Sequence, residues 1–301
     1  MSIDVQSLSK RYGRSYAVRD VSFRVEPGLV TGFLGPNGAG KSTTMRVIVG
    51  LDRSTTGTAL IDGKRYADHA APLHVAGALL DARAAHPART AWNYLTSIAV
   101  THHLPRARVD AVLDATGLTA VAERKVGGFS LGMGQRLGIA AAILGDPGTL
   151  ILDEPINGLD PEGVTWVREL LRRLADEGRT VFLSSHLLSE LALVVDHVII
   201  IGRGQIIADS PLATLTAGTT PKVRVRTTRA GELSPLLAGS GVTITSTQRD
   251  VLEIEGVTAE VIADTAHRAD ITLYELTPLH ETLEDAYNAL TKDAVEYASS
   301  R

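Results

Sequence analysis

The first 63 residues alternate apolar and polar positions in short runs separated by turns: Ile3-Asp4-Val5-Gln6, Tyr16-Ala17-Val18 and Val21-Ser22-Phe23-Arg24-Val25. That two-residue period predicts half-buried strands. Val30-Thr31-Gly32-Phe33-Leu34 is almost wholly apolar and reads as a more deeply buried strand. Ala59-Leu60-Ile61 before Asp62-Gly63 reads as a strand entering a tight turn. Residues 90–145 shift to helical spacing, with breaks at Pro105, Gly117 and Gly127-Gly128. From 149 to 215 the two patterns interleave. Thr149-Leu150-Ile151-Leu152, Thr180-Val181-Phe182-Leu183 and His197-Val198-Ile199-Ile200-Ile201 read as strands, and Pro161 to Asp176 and Leu187 to Val194 as helices. Short apolar strands alternating with helices predict a mainly parallel sheet covered on both faces, an α/β fold.

Near Ala217-Gly218-Thr219-Thr220-Pro221 the pattern changes. Lys222-Val223-Arg224-Val225-Arg226 alternates charge and valine, as a half-exposed strand does. Val242-Thr243-Ile244 and Leu252-Glu253-Ile254 read as a hairpin pair, and Leu283 to Leu290 as a closing helix. Residues 211–301 carry 13 acidic against 8 basic residues, which leaves residues 1–210 close to neutral. The expected organisation is a large domain over 1–215 and a small α+β domain over 216–301. An extension of the main sheet is the alternative for the second part.

Composition narrows the function classes. A hydrophobic share of 44% supports a packed core, built mainly from aliphatic residues because aromatics make up only 4%. The net charge is -4 and no Lys/Arg run occurs, which argues against a nucleic-acid surface. With no cysteine there are no disulfides, thiolate metal sites or cysteine nucleophiles. Met1-Ser2-Ile3-Asp4-Val5-Gln6 lacks the basic start and apolar core of a signal peptide. The longest apolar region, Leu187 to Ile207, is broken by Glu190, Asp196 and Arg203, so no membrane span is expected. The chain is expected to be soluble, with any membrane role arising through a partner.

The most specific chemistry sits at Gly35-Pro36-Asn37-Gly38-Ala39-Gly40-Lys41-Ser42, which fits G-x-x-x-x-G-K-[ST], the loop that wraps nucleotide phosphates. Phosphate oxygens need several converging backbone N–H donors, so the loop must lack bulk and tolerate positive φ, as its glycines do. Lys41 supplies a point charge for the β and γ phosphates, and the Ser42 hydroxyl a ligand for Mg²⁺. The buried strand of Phe33 precedes the loop. The helix begun by Thr43 follows it, and its positive N-terminus faces the phosphates. A phosphate loop also needs a carboxylate for the metal and a group that activates water. Asp153 and Glu154, ending the strand Leu150-Ile151-Leu152, suit those two roles.

At this point the chain resembles the nucleotide-binding subunit of ABC transporters. Four further segments carry the resemblance in order. Phe129-Ser130-Leu131-Gly132-Met133-Gly134-Gln135-Arg136 is similar to the ABC signature, and Asn157-Gly158-Leu159-Asp160 to the D-loop. His186, after Leu183-Ser184-Ser185, falls at the switch histidine, and Tyr12 at the aromatic ring that stacks on adenine. The resemblance covers about residues 3–215. It implies a P-loop NTPase domain with a mainly parallel core, an antiparallel β subdomain and a helical subdomain. It also implies ATP and Mg²⁺ as ligands, and a head-to-tail homodimer in which Ser130 and Gly132 of one copy reach the γ-phosphate held by the other. His186 would contact that phosphate and position the attacking water with Glu154. Membrane permease subunits encoded separately are the implied partners, and the inner face of the cell membrane, on the cytoplasmic side, is the implied location. The single domain, the Ser-Leu-Gly-Met signature and the segment from Leu276 to Asp285 resemble the bacterial exporter branch associated with antibiotic resistance.

The chain departs from the family pattern in three places. Leu131 stands where glycine is usual, Met133 where glutamine is, and Asp81 at the Q-loop glutamine. Asp81 reads either as a metal-site residue or as a plain loop aspartate. Trp92 and Tyr94 read either as anchors for the membrane subunit or as packing in the helical subdomain. His69, His74, His86, His102 and His103 match no metal-ligand spacing. A soluble ABC ATPase acting on ribosomes or DNA and a weakly catalytic nucleotide-binding regulator are the rival functions.

Overall fold

The computed structural model describes residues 1–216, 221–279 and 282–295. The residues expected to open the second domain at 217–220, and His280 and Glu281 of the closing segment, lie outside this set. By packing the chain divides into two units, Met1–Leu212 together with the chain from Tyr287 on, and Ala213–Ala286.

In the first unit, β1 (Ile3–Tyr12) and β2 (Ser15–Val25) form an antiparallel hairpin. β2 joins into one strand the two runs that the alternation separates. β3 (Val30–Leu34) leads through the glycine loop into α1 (Lys41–Ile48), and β4 (Thr56–Ile61) returns antiparallel to β1. Next come a single turn α2 (Pro72–Val75), the short strand β5 (Ala76–Leu79), and the helices α3 (Ala91–Thr101), α4 (Arg106–Ala115) and α5 (Leu131–Ala142). Then β6 (Thr149–Asp153), α6 (Pro161–Asp176), β7 (Thr180–Ser185), α7 (Leu188–Leu191), β8 (His197–Gly202) and β9 (Gln205–Pro211) complete the sheet, followed by α8 (Leu212–Thr216).

The main sheet has the order β5-β6-β7-β3-β8-β9, parallel except for β9, which runs antiparallel along one edge. The antiparallel sheet β2-β1-β4 is the second layer. Phe23 of β2 meets Phe33 and Phe182 of the main sheet with ring centroids 5.5 and 5.6 Å apart, and those two rings lie 5.2 Å from each other, so three of the four phenylalanines weld the two sheets. α3, α4 and α5 enclose a separate aliphatic core around Leu95, Val109, Leu113 and Leu137. The mainly parallel core, antiparallel subdomain and helical subdomain are therefore present.

Some elements differ from expectation. The helix expected over Leu187 to Val194 is one turn, Leu188–Leu191, and Leu193 is exposed. Here the apolar run marks the chain turning back toward β8, not helical periodicity. β5 and β9, at the two edges of the sheet, were not foreseen.

The second unit follows a β-α-β-β-α-β order: β10 (Lys222–Arg226), α9 (Ala230–Leu237), β11 (Thr243–Gln248), β12 (Val251–Glu255), α10 (Ala259–Arg268) and β13 (Glu275–Leu279). Its antiparallel sheet has the order β11-β12-β10-β13. Val223 and Val225 enter a core with Leu233, Ile254 and Ile262, while Lys222 pairs with Glu253 and Glu255. That is the face separation read from the alternation. The last described element is α11 (Leu283–Val295). Among the described residues no helix is long and apolar enough to cross a membrane.

Candidate nucleotide site

The parallel strands all point their C-terminal ends toward one edge of the sheet, where loops leave them and chemistry collects. β3 delivers the glycine loop there, β6 delivers Asp153 and Glu154, and β7 delivers Ser184 and His186.

The loop turns into α1 at Gly40, whose φ of 109° is open only to glycine; a Cβ there would also crowd the carbonyl of Ala17. Among the described residues no side chain caps α1, and its first turn (Lys41, Ser42, Thr43) lines the cleft. That arrangement suits an anion, because the first N–H groups of a helix have no partner within it. Gly35, Pro36 and Ala39 shape the loop from behind. The Lys41 ammonium donates to the carbonyl of Gly35 at 2.6 Å and of Pro36 at 3.4 Å, and the Ala39 N–H donates to Pro36. Lys41 is only 6% exposed, and burial pushes its pKa below the ordinary lysine value, opposed by the charges of Glu154 and Asp153.

A cleft of about 460 Å³ lies over the loop. Asn37, Gly38, Gly40, Lys41, Ser42 and Thr43 line one side, and Asp81, Gln135, Asp153 and Glu154 the other. Asp153 accepts a short hydrogen bond from the Ser184 hydroxyl, whose oxygen also receives the Glu154 N–H at 3.0 Å. Glu154 sits at φ 52°, a left-handed conformation that is costly for a residue with a Cβ and recurs at functional sites. Its carboxylate accepts from His186 Nδ1 at 2.7 Å and from the His186 N–H at 3.3 Å.

Asp81 lines this cleft, yet one of its oxygens already accepts from the Arg83 N–H at 2.8 Å, so it also braces its own loop. Tyr12, half-exposed, lies outside the cleft lining. Its hydroxyl donates to Asp52 at 2.8 Å, with Arg46 of α1 bonded to the same carboxylate oxygen and the Lys10 ammonium 4.7 Å from the ring centroid. The Asp52 carboxylate beside it raises the Tyr12 pKa, and the Tyr12 hydroxyl, followed by Arg46, lowers that of Asp52.

Ser130 is the N-cap of α5, accepting from the Met133 N–H at 3.2 Å, and lines a neighbouring cleft rather than the phosphate one. Gly132 packs against Gly158 and Leu159. The structure thus gathers Lys41, Ser42, Thr43, Asp81, Asp153 and Glu154 in one cleft, puts His186 on its carboxylate, and leaves Tyr12, Ser130 and Gly132 aside. Trp92 and Tyr94 both pack against the helical core, and Trp92 also carries the Arg106 guanidinium 4.5 Å from its ring. Sequence reasoning gave no role to Gln135, Ser184 or Asp52. Gln135 and Ser184 stand inside the quoted motifs, but their burial and their partners emerge only from the fold.

The cleft suits a divalent cation. Ser42 and Asp153, with Asp81 nearby, offer hard oxygen donors. Among the described residues no group of three His, Asp or Glu side chains is placed to hold a metal ion.

The model of a family described as ABC transporter matches residues 18–157, and one described as a domain of unknown function matches 221–284. An uncharacterized ABC transporter ATP-binding protein of Bacillus subtilis, YdbJ, is 34% identical over 289 residues, 95% of this chain and 94% of that one. The bacitracin transport ATP-binding protein BcrA of Bacillus licheniformis is 41% identical over 212 residues, 69% of each chain. Among solved structures, the ATP-binding subunit of an ABC transporter matches with a TM-score of 0.65 and 28% identity, covering 71% of this chain and 92% of that one. With similarity running almost end to end into such a protein, and the phosphate loop, acidic strand end and histidine assembled as above, the chain belongs to the family of ABC transporter ATP-binding proteins.

Proposed function

We propose that this chain is the ATP-hydrolysing subunit that powers an export-type ABC transporter, acting as a head-to-tail pair of copies beneath separately encoded membrane subunits. The observation that carries the ATPase half is the convergence of Lys41, Ser42, Asp153 and Glu154 on one cleft. The relatives named for bacitracin and lantibiotic transport support the export half. Ser130 lines a neighbouring cleft and not the phosphate cleft of its own chain, which accords with its serving a second copy's nucleotide.

In this reading the N–H groups at the start of α1 and the Lys41 ammonium bind the phosphates. Ser42 and Asp153 would hold Mg²⁺, which neutralises phosphate charge when bound. Asp81 is the remaining cleft oxygen on that side; full turnover in Asp81→Ala would remove it from the metal site. Glu154 takes the proton of the attacking water, and the His186 bond fixes which carboxylate oxygen is free to do so. The Tyr12 ring offers a stacking face to adenine.

The transport half is tested by purifying the tagged protein from detergent-solubilised native membranes. Recovery of a multi-span membrane protein supports it. A protein recovered alone, or with ribosomes or DNA, overturns it and leaves the ATPase.

A further inference from the structure

We infer that Gln135 is a positioning residue for Glu154, holding the catalytic turn in place from the signature helix. The inference rests on the reading of Glu154 as general base.

Gln135 lies one turn beyond the cap of α5 and is 5% exposed. Its Nε2 donates to two carbonyls of one turn, that of Glu154 at 2.9 Å and that of Asn157 at 3.2 Å. The turn is closed on itself by the Asn157 N–H donating to the same Glu154 carbonyl at 3.2 Å. On the other side the Ser184 hydroxyl receives the Glu154 N–H. The peptide groups flanking Glu154 are therefore held from two elements, α5 and β7, and its carboxylate from a third point, His186.

Two observations argue that this is more than packing. Glu154 keeps a left-handed φ that its side chain disfavours, so the backbone needs external restraint to stay there. The Gln135 Oε1 is buried and has no hydrogen-bond partner among the described residues, a cost accepted at the edge of the cleft. Reversing the amide would aim that oxygen at two carbonyl oxygens, so only the orientation with the donor on the turn is tolerable. α5 also carries Ser130, so a shift of its N-terminus reaches Glu154 through Gln135. The carboxylate of one chain is thereby tied to whatever its own signature engages.

The test uses the full-length protein and Mg-ATP. Gln135→Met keeps the length and removes the donor; Gln135→Asn keeps the amide one methylene short and carries the test if the first variant does not fold. ATP affinity within about twofold of wild type and kcat lower by about 10- to 100-fold is the expected result, the range seen when a reacting group is misplaced by about 1 Å. Under single-turnover conditions, either variant added to Glu154→Gln should slow hydrolysis no further, because Gln135 acts only through Glu154. Losses that multiply in the double variant, or wild-type kcat in either single variant, overturn the inference. If Glu154→Gln alone turns over normally, the general-base reading has failed instead.

Discussion

Leu131, the first residue of the signature helix, lies directly against Gly158 of the D-loop: a Cβ built on Gly158 would overlap the Leu131 Cγ and Cδ2. Gly158 also has φ 76°. The leucine that replaces the usual signature glycine therefore has its room supplied by a glycine across the contact. Gly158→Ala is expected to destabilise the protein by about 1–3 kcal/mol, from the left-handed backbone and the overlap together. Adding Leu131→Ala should recover the overlap part only. Thermal unfolding of the two single variants and the double variant checks this, and strict additivity would refute the contact.

Lys41 is held in the opposite sense, by a site whose ligand is a phosphate. Burial depresses its pKa, so at neutral pH its charge works against the stability of the nucleotide-free fold. That cost is relieved as pH rises through the folded pKa toward the unfolded value near 10.5. Lys41→Met should leave the nucleotide-free Tm at or above wild type and abolish the Tm rise caused by Mg-ATP. A large fall in nucleotide-free Tm would contradict this.

Tyr12 and Asp52 make a third, separable prediction. Asp52 anchors the ring hydroxyl and is itself anchored by Arg46 of the helix that follows the phosphate loop. Asp52→Ala should raise KM for ATP a few-fold, with kcat unchanged, because it loosens adenine stacking and leaves the chemistry alone. The Asp52 pKa is lowered in the fold, so its support is present above the unfolded value near 3.8 and fades as pH falls through the folded one. An equal fall in kcat would place the pair elsewhere in the cycle.

How much of this was legible follows from the physics of each piece. The phosphate loop could be read because its chemistry forces glycines, a lysine and a hydroxyl into fixed spacing. Val223 and Val225 could be read because one face of β10 is buried and the other is not. β5 has only four residues, too short to show a period, and α9 carries Gly231 and Pro235, which hide its helical pattern. Gln135 and Ser184 were unreadable for another reason: their importance lies in which backbone atoms they meet 19 and 30 residues away, and no local spacing encodes that.

The most direct test of the central claim is phosphate release from Mg-ATP by the wild type and by Glu154→Gln, with ATP binding measured on the same preparations. The geometry predicts unchanged binding and a loss of turnover of about 10²- to 10⁴-fold, the usual worth of a positioned general base. Wild-type turnover in Glu154→Gln would contradict the account and show that another group activates the water.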